Sequence, residues 1–374
     1  MQHSERSDRI VSQEAAETGP RLLTEGCHPH MAPVSLVARN PSQIKIRSDQ
    51  LTYRILLGLL DGKHYMQHPV RRLAEYRQPL PKGRGFVSLA LTGRSEESWE
   101  QVLASLELLS DELVDTFLVL LAVALDVHGP KCITTPFTIT PDDILAICQK
   151  KKSKGSYPAR QRLQVIEQVQ TLSRILVRAT LVLRDGKQWQ VESPLLEILM
   201  NEQPGGNGIW SAHSGWHVGY LKIGDWVDMI PILQSQIALM PRQLLHYHAR
   251  QQKYEKRLGR YLTVFYRINA RRHEGRVKVS MGVLLEQAGI TLDRDNPGRT
   301  REAIESALCQ LHRDGVIGQF TSLQERSSQG REVQERIEQH AYHWWDDYRR
   351  QLWLFEPPLQ LSAMYQNLSE EVPD

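Results

Sequence analysis

Apolar residues recur at helical spacing in two separate stretches of the chain, and a strand-like pattern follows each of them. The later stretch contains a short predicted helix over 281–289 and a longer one that begins at Asn296-Pro297-Gly298, a helix-start signal. Asp314-Gly315 ends the longer helix, and residues 316–320 have the composition of a strand. One face of the longer helix is apolar, through Ile304, Ala307, Leu308 and Leu311.

The earlier stretch has the same order of elements. Thr140 precedes Pro141-Asp142-Asp143, so a capped helix is predicted with proline and acidic residues in its first turn. A second amphipathic helix is predicted over 158–175, and alternating residues on both sides of Asp185-Gly186 predict a β-hairpin. An apolar stripe over 99–127 predicts further helix upstream.

Helices followed by a hairpin are typical of the winged helix, whose recognition helix lies in the major groove of DNA. The sequence therefore predicts an α+β protein with two winged-helix domains in tandem, mostly helical and with β-hairpin wings. The predicted divisions are a flexible N-terminal arm (1–50), a basic linker or edge of the first domain (51–98), the first winged-helix domain (99–200), an interdomain loop (201–215), the second winged-helix domain (216–358) and a C-terminal tail (359–374).

Length and composition agree with a two-domain globular protein. Of the 374 residues, 41% are hydrophobic and 24% charged, as is typical of soluble proteins. The first thirty residues lack the apolar core of a signal peptide, and the apolar run 117–125 is too short to span a bilayer. Four scattered cysteines without a CxxC pair predict neither a disulfide framework nor a structural zinc site. We therefore expect a cytoplasmic protein that does not enter a membrane.

The net charge of +3 averages over blocks of opposite sign. Residues 95–115 contain seven acidic and no basic residues, whereas 149–162 contain six basic and no acidic residues. Residues 250–278 contain ten lysines or arginines and two glutamates. A polyanion responds to such local excesses rather than to the total charge. The basic blocks therefore predict double-stranded DNA as a partner, and the acidic block is a candidate surface for a protein partner.

Three groups of residues are the predicted DNA contacts. Arginines at the start of a recognition helix can contact phosphate or guanine, lysine-rich loops neutralise phosphates, and basic residues three or four positions apart share a helix face. The predicted residues are Lys150, Lys151, Lys152, Lys154, Arg160 and Arg162 in the first domain, Lys253, Arg257, Arg260, Arg271, Arg272, Arg276 and Lys278 in and after the central helix, and Arg299, Thr300 and Arg301 at the start of the last long helix.

The elements at 140–192 and 280–356, with the basic helix KYEKRLGRYLTVFYRINARR at 253–272, resemble the tandem winged-helix replication initiators of plasmids and related mobile elements. The segment RTREAIESALCQLHRDGVI at 299–317 is also similar to a segment of proteins from such elements. The resemblance covers about residues 100–358 and rests on element order and charge placement. It implies a non-catalytic initiator of DNA replication that binds repeated origin sequences, exchanges between homodimer and monomer, and recruits host replication proteins.

Two other functions fit parts of the sequence. A transcriptional or partition regulator would bind DNA through the same domains. A metal-dependent nicking initiator is the other alternative, because His246-Tyr247-His248 with Tyr254 and Tyr261 downstream resembles the HUH nicking enzymes. The surrounding residues predict a helix, which directs the two histidines about 200° apart and opposes chelation. We therefore predict no catalytic residue, metal ligand or cofactor, and the glycine-rich 204–208 lacks the Lys-Ser or Lys-Thr of a phosphate-binding loop.

Overall fold

The computed structural model describes residues 42–92, 98–182, 185–199, 219–228, 237–291, 296–323 and 344–363. Over these residues the protein is a mixed α+β fold with several small antiparallel sheets. The helices are α1 (Gln50–Gly58), α2 (Trp99–Glu107), α3 (Asp111–His128), α4 (Pro141–Ile147), α5 (Ala159–Arg174), α6 (Gln243–His246), α7 (Lys253–His273), α8 (Met281–Gln287), α9 (Pro297–Arg313) and α10 (Trp344–Arg350).

The strands form four sheets. The strands are β1 (Gln43–Arg47), β2 (Met66–His68), β3 (Leu73–Pro79), β4 (Gly85–Thr92), β5 (Phe137–Ile139), β6 (Ile175–Val182), β7 (Gln188–Pro194), β8 (Leu196–Leu199), β9 (Gly219–Ile223), β10 (Ile237–Pro241), β11 (Val277–Ser280), β12 (Phe320–Leu323) and β13 (Leu352–Phe355). The sheet orders are β1-β10, β2-β3-β4-β6-β7, β5-β9-β8 and β11-β13-β12.

A first unit consists of α3, β5, α4, α5, β8 and β9, and its sheet has the order β5-β9-β8. The predicted start of α4 is confirmed: the Thr140 hydroxyl accepts from the backbone N–H of Asp143, and the Asp143 carboxylate accepts from that of Thr140. Helix α3 is buried almost throughout because apolar residues cover several of its faces. It forms the centre of this unit.

A second unit repeats the arrangement with α7, β11, α8, α9, β12 and β13. Its sheet order, β11-β13-β12, is equivalent to that of the first unit. Phe320 and Phe355 stack on Trp353 inside the sheet (ring centroids 6.1 and 6.2 Å apart). The sequence predicts strand from 343 to 355, whereas helix α10 occupies the first part and β13 starts only at Leu352.

The predicted hairpin at Asp185-Gly186 is confirmed, but it lies outside the sheet of the first unit. Strands β6 and β7 pair with each other, and β6 also pairs with β4, which places the hairpin in the five-stranded sheet. Gly186 has φ +81°, a left-handed conformation that glycine adopts at little cost. The hairpin is therefore an insertion between α5 and β8.

The structure differs from the predicted divisions at three places. Residues 51–98, predicted as a linker or as the edge of the first domain, contain α1 and strands β2–β4 and are not a linker, because β4 pairs with β6 in the range predicted for the first domain. Residues 43–47 form β1, which pairs with β10, so the N-terminal arm is shorter than predicted. Residues 219–228 belong to the first unit, because β9 pairs with β5 and the buried indole N–H of Trp226 donates to the carbonyl of Leu195 (3.1 Å).

The predicted interdomain loop, 201–215, lies outside the described residues, as does most of the predicted arm. The strands on either side of that loop, β8 and β9, are neighbours in one sheet. The chain therefore stays within the first unit on both sides of 201–215, and the boundary between the units lies later in the sequence.

The β1-β10 sheet and helix α1 connect the two units. Lys45 of β1 forms an ion pair with Asp126 of α3 (2.7 Å), and Arg267 of α7 donates to the carbonyl of Ile237 at the start of β10 (3.0 Å). Tyr53 of α1 donates to the carbonyl of Gln287 at the end of α8 (2.6 Å). Side chains of β1, α7 and α1 therefore make the contacts that connect the two units through this sheet and helix.

Two of the cysteines in the described residues are free thiols, the buried Cys148 and the exposed Cys309. Cys132 is disulfide-bonded. The scattered cysteine positions gave no indication of this bond.

Candidate nucleic-acid interface

The first turn of α9 carries an exposed arginine that is predicted to contact DNA. Asn296 Oδ1 accepts from the backbone N–H of Arg299 (3.3 Å), so the helix begins at the predicted signal. Arg299, Glu302 and Ser306 are all exposed, and their spacing of three and four places them on one face. Arg299 forms no ion pair with any described residue, so its guanidinium is available to a ligand.

Arg301 lies in the same turn but is held from two sides. Its Nε is 2.8 Å from Glu305 Oε1, and its guanidinium is 5.1 Å from the ring centroid of Tyr348 in α10. The side chain stays 48% exposed. An exposed pair at this spacing stabilises a helix by only about 0.3–0.5 kcal/mol. The contacts therefore orient Arg301 without removing it from solvent.

Four lysines at 150–154 lie on an exposed loop between α4 and α5, and a tight turn shapes this loop. The backbones of Ser153 and Ser156 exchange two hydrogen bonds of 2.8 and 3.1 Å. Lys154 (φ +50°) and Gly155 (φ +83°) occupy the left-handed region, as in a type I′ turn. The lysines are thus presented on a defined surface directly before α5.

The two arginines at the start of α5 have different surroundings. Arg160 is exposed. Arg162 makes a two-pronged ion pair with Asp142 of α4, with Nε–Oδ1 and Nη2–Oδ2 distances of 2.5 and 2.7 Å. The pair fixes α5 against α4, so Arg162 has a positioning contact within the protein that the sequence did not predict.

The predicted basic face of α7 is partly internal. Arg260 is only 4% exposed, with Nη1 2.6 Å from Asp111 Oδ1 and Nη2 2.5 Å from Asp115 Oδ1. Arg257 Nε lies 2.9 Å from Asp111 Oδ2. The predicted DNA contact by Arg260 is wrong, because this face of α7 packs against α3, and the guanidinium of Arg257 is engaged in the same way.

Thr300 is a second correction. Its side chain is 4% exposed, and its hydroxyl donates to the carbonyl of Asn296 (3.2 Å). One position separates it from the outward Arg299, and a helix turns each successive residue by about 100°. Thr300 therefore faces the interior, and the prediction that it contacts DNA is wrong.

The remaining predicted residues lie at the start of α7, in its last turn and directly after it. Lys253, Arg271 and Lys278 are exposed. Arg276 is exposed but is 3.3 Å from Glu274 and 3.6 Å from Glu356. Arg272 is in the last turn of α7, and its side chain is not among those that the structure describes.

Part of the acidic block predicted to face another protein has partners within this chain. Asp111 and Asp115 are buried against the cations of α7, and Glu112 accepts from the side-chain amide of Gln164 (2.6 Å). Residues 95–97 lie outside the described part, whereas Glu107 is exposed. Of the acidic residues that the structure describes in this block, Asp111 and Asp115 face the second unit, whereas Glu100 and Glu107 are exposed to solvent.

Burial and ion pairing have opposite effects on the pKa values of Lys256 and Arg260, the two cations that face these acids. Burial lowers the pKa of Lys256, and its pairing with Asp115 only partly offsets the desolvation. Burial also opposes the charge of Arg260, but Asp115 and Asp111 outweigh it and raise the pKa of Arg260. The sequence contained a signal for this cluster: Asp111 and Asp115 are four residues apart on an otherwise apolar helix, as are Lys256 and Arg260 on α7.

Arg242 is a further residue that sequence reasoning missed. It is buried, and its Nε and Nη2 donate to the carbonyls of Ile147 and Ala146 (2.7 and 2.6 Å). These carbonyls end α4, where backbone acceptors lack helical donors. No spacing pattern connects Arg242 to residues almost a hundred positions earlier in the chain, so this contact had no sequence signal.

Two of the residues proposed for a nicking enzyme make other contacts within the protein. His248 Nδ1 lies 3.3 Å from the backbone nitrogens of Arg250 and Gln251 and caps the turn before α7. Tyr261 is 3% exposed and stacks on Phe265 (centroids 4.2 Å apart), and burial raises the pKa of its hydroxyl. These contacts leave Tyr261 without access to a DNA strand.

Within the ranges that the structure describes, no group of three or more His, Cys, Asp or Glu side chains could hold a metal ion. In the same ranges no helix is long and apolar enough to cross a bilayer.

No protein-family model and no curated protein matches the sequence. Two solved structures are similar to it. The crystal structure of RctB domains 2-3 (RctB-155-483) has a TM-score of 0.42 and 10% identity, covering 83% of this chain and 99% of that one. The structure of selenomethionine derivatives of domain 2 and domain 3 of RctB has a TM-score of 0.38 and 12% identity, covering 71% and 84%. A likeness at this level carries no information on function.

The described residues thus form a mixed α+β protein with two equivalent units. In each unit, an arginine is exposed in the first turn of the last long helix.

Proposed function

We propose that this protein binds double-stranded DNA sequence-specifically through two winged-helix units. The order helix, strand, helix, helix, strand, strand and the equivalent sheet orders β5-β9-β8 and β11-β13-β12 support this assignment. In such a unit the last helix enters the major groove and the final two strands form the wing. Helices α5 and α9 are then the recognition helices.

The observation that carries the proposal is the repeated exposure of an arginine at the start of the recognition helix. Arg160 and Arg299 hold equivalent places in α5 and α9, and both are exposed. A positive charge is unfavourable beside the positive end of a helix dipole, so each position favours an anionic partner. Phosphate oxygens and the acceptor edge of guanine both satisfy an arginine there.

The lysine loop supplies the second part of the interface. In the first unit, the exposed lysines at 150–154 directly precede α5. Each phosphate that a lysine neutralises releases counterions, so affinity falls as salt concentration rises. These lysines would hold the backbone while α5 contacts base edges.

The outward face of α9 favours particular bases. Arg299 can donate two hydrogen bonds to guanine, and Glu302 can accept from the amino group of cytosine. Both side chains are exposed and lie on one helix face. The second unit would therefore prefer a site containing G·C pairs.

The biological role that we propose is non-catalytic initiation of replication of a plasmid or mobile element, as the sequence resemblance implies. A transcriptional or partition regulator would use the same interface, and the two roles differ in the location of the bound DNA rather than in its chemistry.

Selection of duplexes from a random-sequence library with the full chain tests DNA binding directly. We expect enrichment of a defined sequence and binding that weakens steeply with salt. Absence of any enriched sequence would overturn the proposal. Footprinting on the protein's own replicon then separates the roles: protected repeats at an origin support initiation, and protection confined to a promoter supports regulation.

Incubation with supercoiled DNA and a divalent metal ion tests the non-catalytic assignment. We expect the DNA to stay supercoiled and no covalent tyrosine adduct to form. Relaxation that is lost in Tyr254→Phe would instead support the nicking alternative.

A further inference from the structure

A set of buried and part-buried polar contacts, linked through the backbone of the short helix α6, connects the two units. It begins at the end of α4, where Arg242 donates to the carbonyls of Ala146 and Ile147. Arg242 directly precedes α6, so α6 is anchored to the turn that leads into the lysine loop of the first unit.

Lys256 connects α6 to α3. Its Nζ donates to the carbonyls of Leu244, Leu245 and Tyr247 at 2.8, 3.3 and 3.0 Å, and it lies 2.7 Å from Asp115 Oδ2. Lys256 is 0% exposed. Every proton of this ammonium therefore has an acceptor in the protein, which is the condition for keeping a lysine charged in an interior.

The contacts continue from α3 to the second unit. Arg260 joins Asp115 to Asp111, and Arg257 joins Asp111 to the carbonyl of Gly289 (2.5 Å). Gly289 follows α8, in the second unit, as residues 148–150 follow α4 in the first. The last turn of α4 in the first unit and the residues after α8 in the second are thus the two ends of this set of contacts.

Buried charges restrict how the units can move relative to each other. If α3 and α7 shifted relative to each other, carboxylates and cations that stay buried would lose the partners that compensate their burial, which is strongly destabilising. Helix α1 reinforces the arrangement, because Tyr53 donates to Gln287 at the end of α8 and packs edge-on against Tyr261. One relative orientation of the units is therefore strongly favoured.

We propose that this bridging network (Arg242, Lys256, Asp115, Arg260, Asp111 and Arg257) holds the two recognition helices at one relative orientation, so that the protein binds paired half-sites at one fixed spacing. The inference rests on the proposed DNA binding by both units. It assigns positioning roles to Asp111 and Asp115, which touch no DNA.

Distance measurement in the free protein tests the rigidity without DNA. Spin labels carried by unnatural amino acids at Glu167 on α5 and Ser306 on α9, both exposed, report the separation of the recognition helices. We expect one narrow distance distribution, which broadens in Asp111→Asn. Glu107→Gln is the matched control, since it removes an exposed acid of the same block, and it should leave the distribution unchanged.

Binding to spacer variants tests the consequence for DNA. The probe is the duplex enriched by the wild-type chain from the random library, with two to five base pairs inserted between its half-sites. We expect binding at least about tenfold weaker after a five-base-pair insertion, because the second half-site then faces the opposite side of the duplex. Asp111→Asn should reduce this penalty to less than about threefold while binding to a single half-site is retained.

A circular dichroism melt establishes whether each variant is folded. Should Asp111→Asn not fold, the partly exposed Arg257→Gln replaces it in both measurements. A broad distance distribution in the wild-type chain, or equal affinity at every spacing, would overturn the inference while leaving DNA binding intact. Failure to enrich any sequence would instead overturn the proposed function, and with it the fixed spacing.

Discussion

Lys256 and Asp115 form an ion pair of 2.7 Å between the central helices of the two units, and the lysine side chain is fully buried. Without the lysine, three backbone carbonyl groups lose a hydrogen-bond donor, and the negative charge of Asp115 loses one of its neutralising partners. Breaking a buried pair on one side typically costs about 3–5 kcal/mol.

We expect Lys256→Met to lower the free energy of unfolding by an amount in that range, measured by urea denaturation. Lys253→Met, one turn earlier and exposed, is the control and should change stability by less than about 0.5 kcal/mol. Equal denaturation midpoints for the two variants would show that the buried pair does not hold the units together.

Substitutions in the lysine loop should change the salt dependence of DNA binding. Lys150→Gln and Lys151→Gln each remove one exposed charge from the loop before α5. The plot of log K against log salt concentration has a negative slope, and we expect each substitution to make it shallower by about 1. Binding should weaken similarly for all sequences. Lys187→Gln, on the exposed β6–β7 hairpin, is the matched control. An unchanged slope in the loop variants would remove these lysines from the interface.

Arg299 and Arg276 provide a test of site specificity. Arg299 is exposed without an ion pair to a described residue, whereas Arg276 lies near Glu274 and Glu356. We expect Arg299→Ala to reduce discrimination between the selected sequence and a single-base variant by about 1–3 kcal/mol. Arg276→Ala should have a smaller effect on discrimination. Competition binding measures both, and the reverse ranking would contradict the assignment of α9.

His246 predicts a loss of stability in mild acid. Burial, with help from Arg242 and Lys256, lowers the pKa of His246 from 6.5 to about 4. The unfolded chain therefore binds a proton more readily than the folded one between these values, so stability decreases as pH falls through this window. We expect the free energy of unfolding of His246→Gln, measured by denaturation, to decrease less between pH 6.5 and 4.5 than that of the wild-type chain. A slope identical to that of the wild-type chain would mean that His246 is protonated equally easily in both states.

Local patterns predicted the helices well where capping and periodicity agreed. Helices α4, α5 and α9 lie within one or two residues of their predicted bounds, because Thr140, Asn296 and the apolar stripes act within a few residues. The β6–β7 hairpin was predicted for the same reason. Its partner, β4, lies about ninety residues earlier, and the hairpin's own residues do not encode that pairing.

In the candidate interface, too, the sequence predicted some features, and others only the structure could decide. The sequence predicted DNA contacts for the lysines at 150–154 and for Arg160 and Arg299, because an excess of positive charge is visible along the chain, and all of these side chains are exposed. Arg260 belonged to an equally convincing basic stripe, yet it is buried. Spacing places residues on a common helix face, but it does not state what that face contacts.

The sequence by itself determined the two repeated helix pairs, their caps and the charge of the loops, since these depend on neighbours within one or two helical turns. Only the tertiary structure decided which charges face solvent and which join α3 to α7, and which strands complete each sheet. The physical reason is that burial and strand pairing depend on residues distant in the chain. Asp111 and Arg260 are 149 positions apart, and only folding brings them within 2.6 Å.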